Sequence, residues 1–212
     1  MERKSFGNMQ CPVARTLERV GEWWSILILR DALHGLTRFD QFQKSLDIAP
    51  NMLTRRLNSL VESGLLERRQ YSERPPRHEY ILTDLGRDFR SILVALNTWG
   101  NKHFAPEGPS VLLVDATTGE EAEPVMIDGK SGKRLNSPDF VFAPGPQANE
   151  GMKARINFAR ERAAEAAAND AAASPSAMLA ESKSVKSAES AESAKPAKPA
   201  KAPRKKAASR SA

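Results

Sequence analysis

The chain has 212 residues, with 32 Lys or Arg against 26 Asp or Glu, so its formal net charge is +6. That length suits one domain of ordinary size with additional segments. The apolar runs are too short to cross a bilayer, and a single cysteine excludes an internal disulfide framework and a cysteine-based zinc site. Because no apolar segment follows the first Met, we expect a basic, soluble, cytoplasmic protein without a membrane partner.

Charge is unevenly distributed along the chain and predicts four segments. Residues 1–106 carry 16 basic and 12 acidic side chains, residues 107–150 carry 3 and 8, and residues 151–212 carry 13 and 6. Most of the aromatic residues also lie in the first half. We therefore predict a flexible start over 1–10, a folded domain over 11–106, a small acidic extension over 107–150 and a tail over 151–212.

Four helices are predicted in the first half of the folded domain. Cys11-Pro12 begins a helix that ends at Gly21, since Pro is favoured at the first helical position. The nearly continuous apolar segment Trp23–Leu33 predicts a buried helix. A short helix over Phe39–Leu46 and another over 50–63 are joined by a short turn, which is the arrangement of a helix-turn-helix.

The helix over 50–63 has a polar face opposite its apolar face. Asn51, Arg55 and Asn58 cluster on that face, and Thr54 flanks them. Side chains of this kind hydrogen-bond base edges in a major groove, Arg to guanine and Asn to adenine. For this helix alone, an ordinary solvated face is the better interpretation.

Two strands predicted directly after this helix favour DNA binding over an ordinary solvated face. They run over 65–71 and 78–83, and the polar loop 72–77 between them carries Arg74 and Arg77. A hairpin that follows a recognition helix is the wing of a winged helix, and arginines at its tip are placed to reach phosphate or the minor groove. The order of helix, hairpin and basic tip therefore favours DNA binding.

Thr83-Asp84 caps a last helix that is predicted over 85–104. Its apolar stripe is longer than a core of this size needs, so part of it is expected to pack on a second subunit. A dimer would match the two half-sites that helix-turn-helix proteins usually read.

These segments together resemble the HxlR family of bacterial transcriptional regulators, from about Cys11 to Phe104. The resemblance is carried by Cys11-Pro12-Val13, WSILILR at 24–30, Arg38-Phe39, MLTRRL at 52–57, Gly64-Leu65, PPRHEY at 75–80 and LTDLG at 82–86. It implies a winged helix-turn-helix homodimer whose interface is built by helices from both ends of the domain. By this likeness Asn51, Thr54, Arg55 and Arg56 face operator DNA, and Arg77 lies on the wing.

The resemblance also implies which side chains form the dimer interface. They are the apolar residues of the first and last helices, namely Val13, Leu17, Leu93, Leu96, Trp99 and Phe104. One departure from the family pattern is Ala49, where Ser or Asn often precedes the proline. Ala49 cannot cap the helix with its side chain, which costs about 1 kcal/mol.

Cys11 lies at a helix N-terminus, where the helix dipole favours a thiolate. Some regulators of this type carry a cysteine here that senses oxidants or electrophiles, so redox sensing through Cys11 is one hypothesis. The alternative is an inert, partly buried thiol with which chains of this family begin. With no second cysteine, a disulfide would have to join two subunits or include a small thiol.

No pattern of catalytic or metal-ligating residues competes with a regulator. The three histidines are scattered, and neither a phosphate-binding glycine loop nor a nucleophile elbow occurs. We expect no catalysis, no metal and no cofactor.

Two turns within the extension repeat one spacing. Asp115-x-x-Thr118-Gly119 and Asp128-x-x-Ser131-Gly132 have the spacing of paired zinc knuckles, next to strands predicted over 111–115 and 124–128. Asp, Thr and Ser stand at the cysteine positions, which rules out thiolate coordination. A β-rich ribbon without its metal and an acidic linker with two hairpins are equally good interpretations.

The tail is rich in Ala, Lys and Pro, and we predict that it is disordered over 151–212. An Ala-rich helix is conceivable over 155–168, before Ser174-Pro175 would end it. Residues 195–212 hold seven basic side chains and no acidic one. They could bind DNA phosphates without sequence preference, contact the acidic extension, or only solubilise the chain, and we favour the first role.

The sequence predicts a mainly α protein with a small β wing, followed by a small β-rich extension and a disordered basic tail. Its predicted function is that of a dimeric, sequence-specific transcriptional regulator, a repressor rather than an activator, whose partners are operator DNA, a second copy and a small-molecule or electrophile effector. The alternative is a nonspecific nucleoid-associated or architectural protein that acts mainly through the basic tail. The ratio of specific to nonspecific affinity distinguishes the two.

Overall fold

The computed structural model describes residues 5–172 of the chain. The order of elements along these residues is α1 Pro12–Val20, α2 Trp23–Leu33, α3 Phe39–Leu46, α4 Pro50–Glu62, β1 Leu66–Glu73, β2 Pro76–Leu82, α5 Asp84–Asp88, α6 Arg90–Phe104 and α7 Glu150–Ala172. Helices α1 to α4 match the predicted bounds to within one residue. The predicted fold class, mainly helical with a small two-stranded wing, is confirmed.

The hydrophobic core lies where α2, α3 and α4 meet the wing. Its largest fully buried side chains are Ile28, Leu29, Phe42, Leu53, Leu57, Leu60 and Leu66. The three on α4 lie three or four positions apart, the spacing that gathers apolar residues on one face of a helix. Helix α2 is buried along most of its length, although Trp23 at its start is exposed.

Thr83 connects the end of α4 to the beginning of α5. Its Oγ1 donates a hydrogen bond to the carbonyl oxygen of Gly64 (2.6 Å) and accepts one from the amide of Gly86 (3.1 Å). Gly64 ends α4 in the left-handed region, at φ +73°, which suits a residue without a side chain. The predicted cap at Thr83 is therefore present.

The prediction of one continuous helix over 85–104 is wrong. Helices α5 and α6 are separated at Phe89, whose side chain is buried in the core. The Phe89 amide donates to the carbonyl oxygen of Gly86, three residues back, instead of four as in an α-helix. That tighter turn separates the two helices at the residue whose aromatic ring is buried.

The wing strands are longer than predicted and their loop is shorter. A two-residue turn, Arg74-Pro75, joins β1 to β2, and Glu73 pairs with Pro76. Tyr71 is the extra residue of a bulge in β1, because Gln70 pairs with His78 whereas Ser72 pairs with Arg77. Arg77 therefore lies in β2 and not in the loop where it was predicted.

The extension forms two short hairpins instead of the predicted strands. Each has one isolated bridge, Val114 with Glu121 and Ile127 with Arg134. It is attached to α6 through the carbonyl oxygen of Val111, which accepts hydrogen bonds from Nδ2 of Asn97 (3.2 Å) and of Asn101 (2.9 Å). None of its side chains is buried, so it has no core of its own.

The chain divides into two units, residues 1–153 and 154–212. The boundary falls in α7, which includes the segment 155–168 where the sequence allowed an Ala-rich helix. Alanine, the strongest helix former, makes up much of this helix and accounts for it. The predicted disorder of the remaining tail, with its basic residues 195–212, lies outside the described residues. No helix within 5–172 is long and apolar enough to span a membrane.

Candidate nucleic-acid interface

Four of the predicted base-reading side chains share the exposed face of α4. Asn51, Thr54, Arg55 and Asn58 are all exposed, whereas the opposite face of the helix lies in the core. Oδ1 of Asn51 accepts a hydrogen bond from the Met52 amide (2.7 Å), and Oγ1 of Thr54 donates one to the Pro50 carbonyl oxygen (2.8 Å). Both polar groups are thereby held against the first turn of α4, the part of a recognition helix that contacts bases.

The placement of Arg56 does not fit its predicted contact with DNA. Its side chain is 13% exposed, and Nη2 lies 3.0 Å from Oε2 of Glu22 at the start of α2. Successive residues of an α-helix project in directions about 100° apart, so Arg56 projects to a different side of α4 from Arg55, at the edge of the core. The ion pair joins α4 to the start of α2, so Arg56 is engaged within the domain.

The wing carries several basic side chains. Arg74 lies in the turn at its tip and Arg77 follows at the start of β2, and both are exposed. Further down the hairpin, Nη2 of Arg69 lies 2.8 Å from Oε1 of Glu79 across the two strands. Arg74 and Arg77 are thus the cations nearest the tip, while Arg69 is engaged within the sheet.

Arg38 and Tyr71 form a contact that sequence reasoning missed. The guanidinium carbon of Arg38 lies 4.7 Å from the centroid of the Tyr71 ring, a cation–π distance. Arg38 directly precedes α3, and Tyr71 is the bulge residue of β1. An arginine before a short helix and a tyrosine in a strand have no periodicity that relates them, so only the fold brings the two together.

The residues predicted for the dimer interface fall into two groups. Leu93 is partly buried and packs against the core. The others are exposed apolar side chains on α1 and α6, namely Val13, Leu17, Leu96, Trp99 and Phe104. Trp99 and Phe104 are 55% and 66% exposed, and their rings meet edge to face with centroids 4.8 Å apart.

Cys11 is the residue before the first turn of α1, and its side chain is partly buried. Pro12 and Val13, the first residues of α1, follow it in the chain. Within residues 5–172, no group of three or more His, Cys, Asp or Glu side chains is arranged to hold a metal ion.

The two turns of the extension have equivalent hydrogen bonding. The Gly119 amide donates to the Asp115 carbonyl oxygen, and the Gly132 amide donates to that of Asp128, both at 2.8 Å. The Asp115 carboxylate accepts from the amides of Thr117 (2.7 Å) and Thr118 (3.1 Å). These turns have the backbone spacing of metal knuckles, with an aspartate carboxylate that accepts hydrogen bonds from the turn. The metal-free ribbon stays a prediction.

Both aspartates are held in their charged form by these bonds. Hydrogen bonds from the Thr117 and Thr118 amides lower the pKa of Asp115, and hydrogen bonds from the Ser131 hydroxyl and amide lower the pKa of Asp128. Both effects exceed the opposing effect of desolvation. Because each carboxylate accepts hydrogen bonds from its own turn, it stabilises that turn.

Comparison with known proteins yields a family and several relatives. A family model described as HxlR-like helix-turn-helix matches residues 19–108. An HTH-type transcriptional regulator of Mycobacterium tuberculosis is 43% identical over 145 residues, which are 68% of this chain and 89% of the relative. The HTH-type transcriptional regulator YdeP of Bacillus subtilis is 35% identical over 94 residues, 44% of this chain and 73% of its own.

Two solved structures match more than the winged helix. PA1374 of Pseudomonas aeruginosa, described as a candidate transcription factor, is 55% identical, with a TM-score of 0.52, and covers 69% of this chain and 100% of its own. PA1607, also described as a candidate transcription factor, is 40% identical with a TM-score of 0.61, over 67% of this chain and 100% of its own. These matches are longer than the family model, so they include residues beyond the winged helix-turn-helix.

Proposed function

The chain belongs to the HxlR-like helix-turn-helix family and is a transcriptional regulator with a winged helix-turn-helix DNA-binding domain; from this membership we propose that it acts as a homodimeric repressor of specific operators. The single observation that carries the proposal is the exposed polar face of α4 next to a wing with basic side chains at its tip. Two copies would present two such faces, and together they would cover the two halves of an operator and exclude polymerase from it.

In this proposal, α4 reads bases in the major groove. Arg55 donates to guanine, and Asn51 and Asn58 bond to adenine, which are the pairings that the geometry of base edges favours. Thr54 contacts either a base or the adjacent phosphate. Arg74 and Arg77 lie along the phosphates or the minor groove beside the recognition helix.

The proposed dimer interface joins α1 and α6 of two copies. The support is the exposure of Val13, Leu17, Leu96, Trp99 and Phe104, since large apolar side chains exposed together usually mark a contact surface. An isologous dimer would also give the two recognition helices the symmetry of a palindromic operator.

Sensing through Cys11 is a second element of the proposal. The thiol lies at the start of α1, so a bulky adduct or a mixed disulfide there would act on a helix of the proposed interface. Its effect would be to change how the two copies pack and thereby the distance between their recognition helices. If the Cys11→Ser variant releases DNA in response to diamide or methylglyoxal as the wild type does, this thiol is not the sensor.

A nonspecific, DNA-compacting function is the second candidate, and the seven basic residues of 195–212 favour it. The two candidates predict different footprints of the reduced full-length chain on the DNA that flanks its own gene. At about 0.15 M salt, where phosphate contacts do not dominate, the operator-binding dimer protects two half-sites about one helical turn apart, or a small multiple of it. Uniform protection without edges would contradict specific recognition and support compaction.

A further inference from the structure

Arg38 lies where the first helix of the helix-turn-helix meets the wing. It directly precedes α3, and its backbone forms an antiparallel bridge with Glu79 of β2. The Tyr80 amide also donates to the carbonyl oxygen of Thr37 at 2.7 Å. The residues before α3 therefore add a short edge to the two-stranded wing.

The pairing of this edge places three charged residues in one row across the sheet. Arg38 pairs with Glu79, and Glu79 pairs with Arg69 of β1. Since directly paired residues project to the same face of a sheet, the three side chains share one face. Glu79 uses its Oε1 to bind both Nε (2.9 Å) and Nη2 (2.8 Å) of Arg69.

Arg38 is held in a different way from its neighbour in the row. Its guanidinium lies over the Tyr71 ring, and within residues 5–172 it forms no ion pair with a carboxylate. A guanidinium stacked on an aromatic face keeps the N–H groups at its planar edge available for a carboxylate or a phosphate. Arg38 is thus an oriented cation whose hydrogen-bond donors remain exposed.

We propose that Arg38, oriented by Tyr71, binds the phosphate backbone of DNA next to the groove that α4 enters. The inference rests on the proposed function, because it assumes that α4 is the recognition helix. In helix-turn-helix proteins the first helix crosses the DNA backbone while the second lies in the groove, and Arg38 is at the start of that first helix. A phosphate contact adds affinity without reading sequence. Tyr71 is a positioning residue that acts through Arg38.

The test is the affinity of the full chain for a labelled random-sequence duplex, measured by fluorescence anisotropy at several salt concentrations. Loss of a charge-assisted bond in Arg38→Ala is expected to weaken binding about tenfold and to reduce the slope of log K against log salt by about 1 for each bound protomer. The control is Arg90→Ala, which removes an exposed arginine from α6 and is expected to leave affinity and slope unchanged.

Two Tyr71 variants test the positioning. Tyr71→Phe keeps the ring and is expected to bind like the wild type, whereas Tyr71→Ala is expected to weaken binding and reduce the slope. The double variant Arg38→Ala/Tyr71→Ala should bind no more weakly than Arg38→Ala alone, since Tyr71 acts through Arg38. Additive losses in the double variant would overturn the coupling of the two residues.

The outcomes separate this inference from the proposed function. An unchanged slope in Arg38→Ala, with wild-type DNA binding intact, overturns the phosphate contact and leaves the recognition helix unaffected. Absence of salt-dependent duplex binding by the wild type overturns the proposed function itself. Circular dichroism identifies a variant that does not fold, and Arg38→Gln, which keeps a polar side chain without the charge, then takes the place of Arg38→Ala with the same expected slope.

Discussion

Gly86 shows how closely the backbone of the wing approaches α5. A Cβ atom on this residue would lie 2.2 Å from the carbonyl oxygen of Leu65 and 2.9 Å from Cδ2 of Leu82. The first of these atoms belongs to the backbone and cannot rotate away. Only glycine therefore allows α5 to pack this closely against the backbone at Leu65.

We expect Gly86→Ala to lower the free energy of unfolding by about 1–3 kcal/mol, the usual cost of an overpacked contact. Its matched control is Gly100→Ala, because Gly100 lies inside α6 with no heavy atom within 4 Å of the added methyl group. That variant should raise the free energy of unfolding by about 0.5–1 kcal/mol through helix propensity. Urea denaturation measures both, and equal effects would contradict the close approach at Gly86.

Asp115 carries a pH dependence whose sign follows from its hydrogen bonds. The Thr117 and Thr118 amides lower the pKa of its carboxyl group below the ordinary value of 3.8. Because the pKa of Asp115 is lower in the folded chain, the carboxylate stabilises the turn at any pH above its pKa in the unfolded chain. This contribution is lost as the pH falls through its pKa in the folded chain. The first hairpin of the extension should therefore loosen only in acid.

NMR titration of the Thr117 and Thr118 amides tests this prediction. Their shifts should change with an inflection below pH 3.8 in the wild type, whereas Asp115→Asn should remove that inflection because the amide keeps an acceptor oxygen without titrating. A transition at or above the ordinary value would show that the carboxylate is not held by these bonds.

At the scale of the element, Arg55 and Arg56 are neighbours in α4 with different roles. Arg55 is exposed on the polar face, and Arg56 pairs with Glu22 at 3.0 Å and is mostly buried. One residue of a helix corresponds to a rotation of about 100°, which is enough to separate an exposed side chain from one that forms an ion pair within the domain.

The two arginines should respond oppositely to alanine substitution. Arg55→Ala is expected to cost about 1–3 kcal/mol of discrimination at one base position in each half-site, with the stability of the fold unchanged. Arg56→Ala is expected to lower the free energy of unfolding by about 1–2 kcal/mol, since it leaves Glu22 without this ion pair, and to preserve base preference. Urea denaturation and affinities for single-base variants of a bound duplex distinguish these effects, and a changed base preference in Arg56→Ala would contradict its assignment.

Local signals account for most of the elements, because each start or stop is marked in the chain near it. Pro12 and Pro50 begin helices because the proline ring fixes φ near its helical value, and Gly64 ends α4 in the left-handed region. The Thr83 hydroxyl caps α5 by accepting from the amide of Gly86, three residues later. Each of these signals can be read from the local sequence. The break at Phe89 is different, since the burial of its ring depends on neighbours that are distant in the chain. The bulge at Tyr71 likewise follows from strand pairing, which moved Arg77 out of the predicted loop.

The same reasoning applies to the candidate site. The exposed face of α4 was predictable from helical periodicity, whereas the partner of Arg56 and the stacking of Arg38 on Tyr71 join residues that no local pattern relates. Helix α7 illustrates a third case, because an Ala-rich segment such as 155–168 suits a helix and a solvated coil almost equally by composition.

At the scale of the whole molecule, the proposed dimer depends on the exposed apolar side chains of α6. Leu96 is 41% exposed on α6, whereas Phe89, which precedes it on that face, is buried in the core, and Leu93 is partly buried against it. A side chain of this size at the margin of a core contributes most when a partner covers it.

Leu96→Glu is expected to convert the dimer to a monomer at micromolar concentration, because the interface would bury an unpaired carboxylate. Ser91→Glu is the control, since Ser91 is exposed earlier on the same helix and lies on another side of it. Analytical ultracentrifugation gives the mass of each variant. A dimer that persists in Leu96→Glu would contradict this interface, and a monomeric wild type would contradict dimerisation itself.

Sequence-specific recognition is tested most directly by selecting duplexes from a random-sequence pool with the full-length wild-type chain at about 0.15 M salt. Our account predicts enrichment of one inverted repeat whose half-site centres are about 10 bp apart or a small multiple of that distance. It also predicts that Arg55→Ala loses the preference at one position of each half-site. A bound pool with the same composition as the starting pool would contradict the account and identify a protein that binds DNA through phosphates alone.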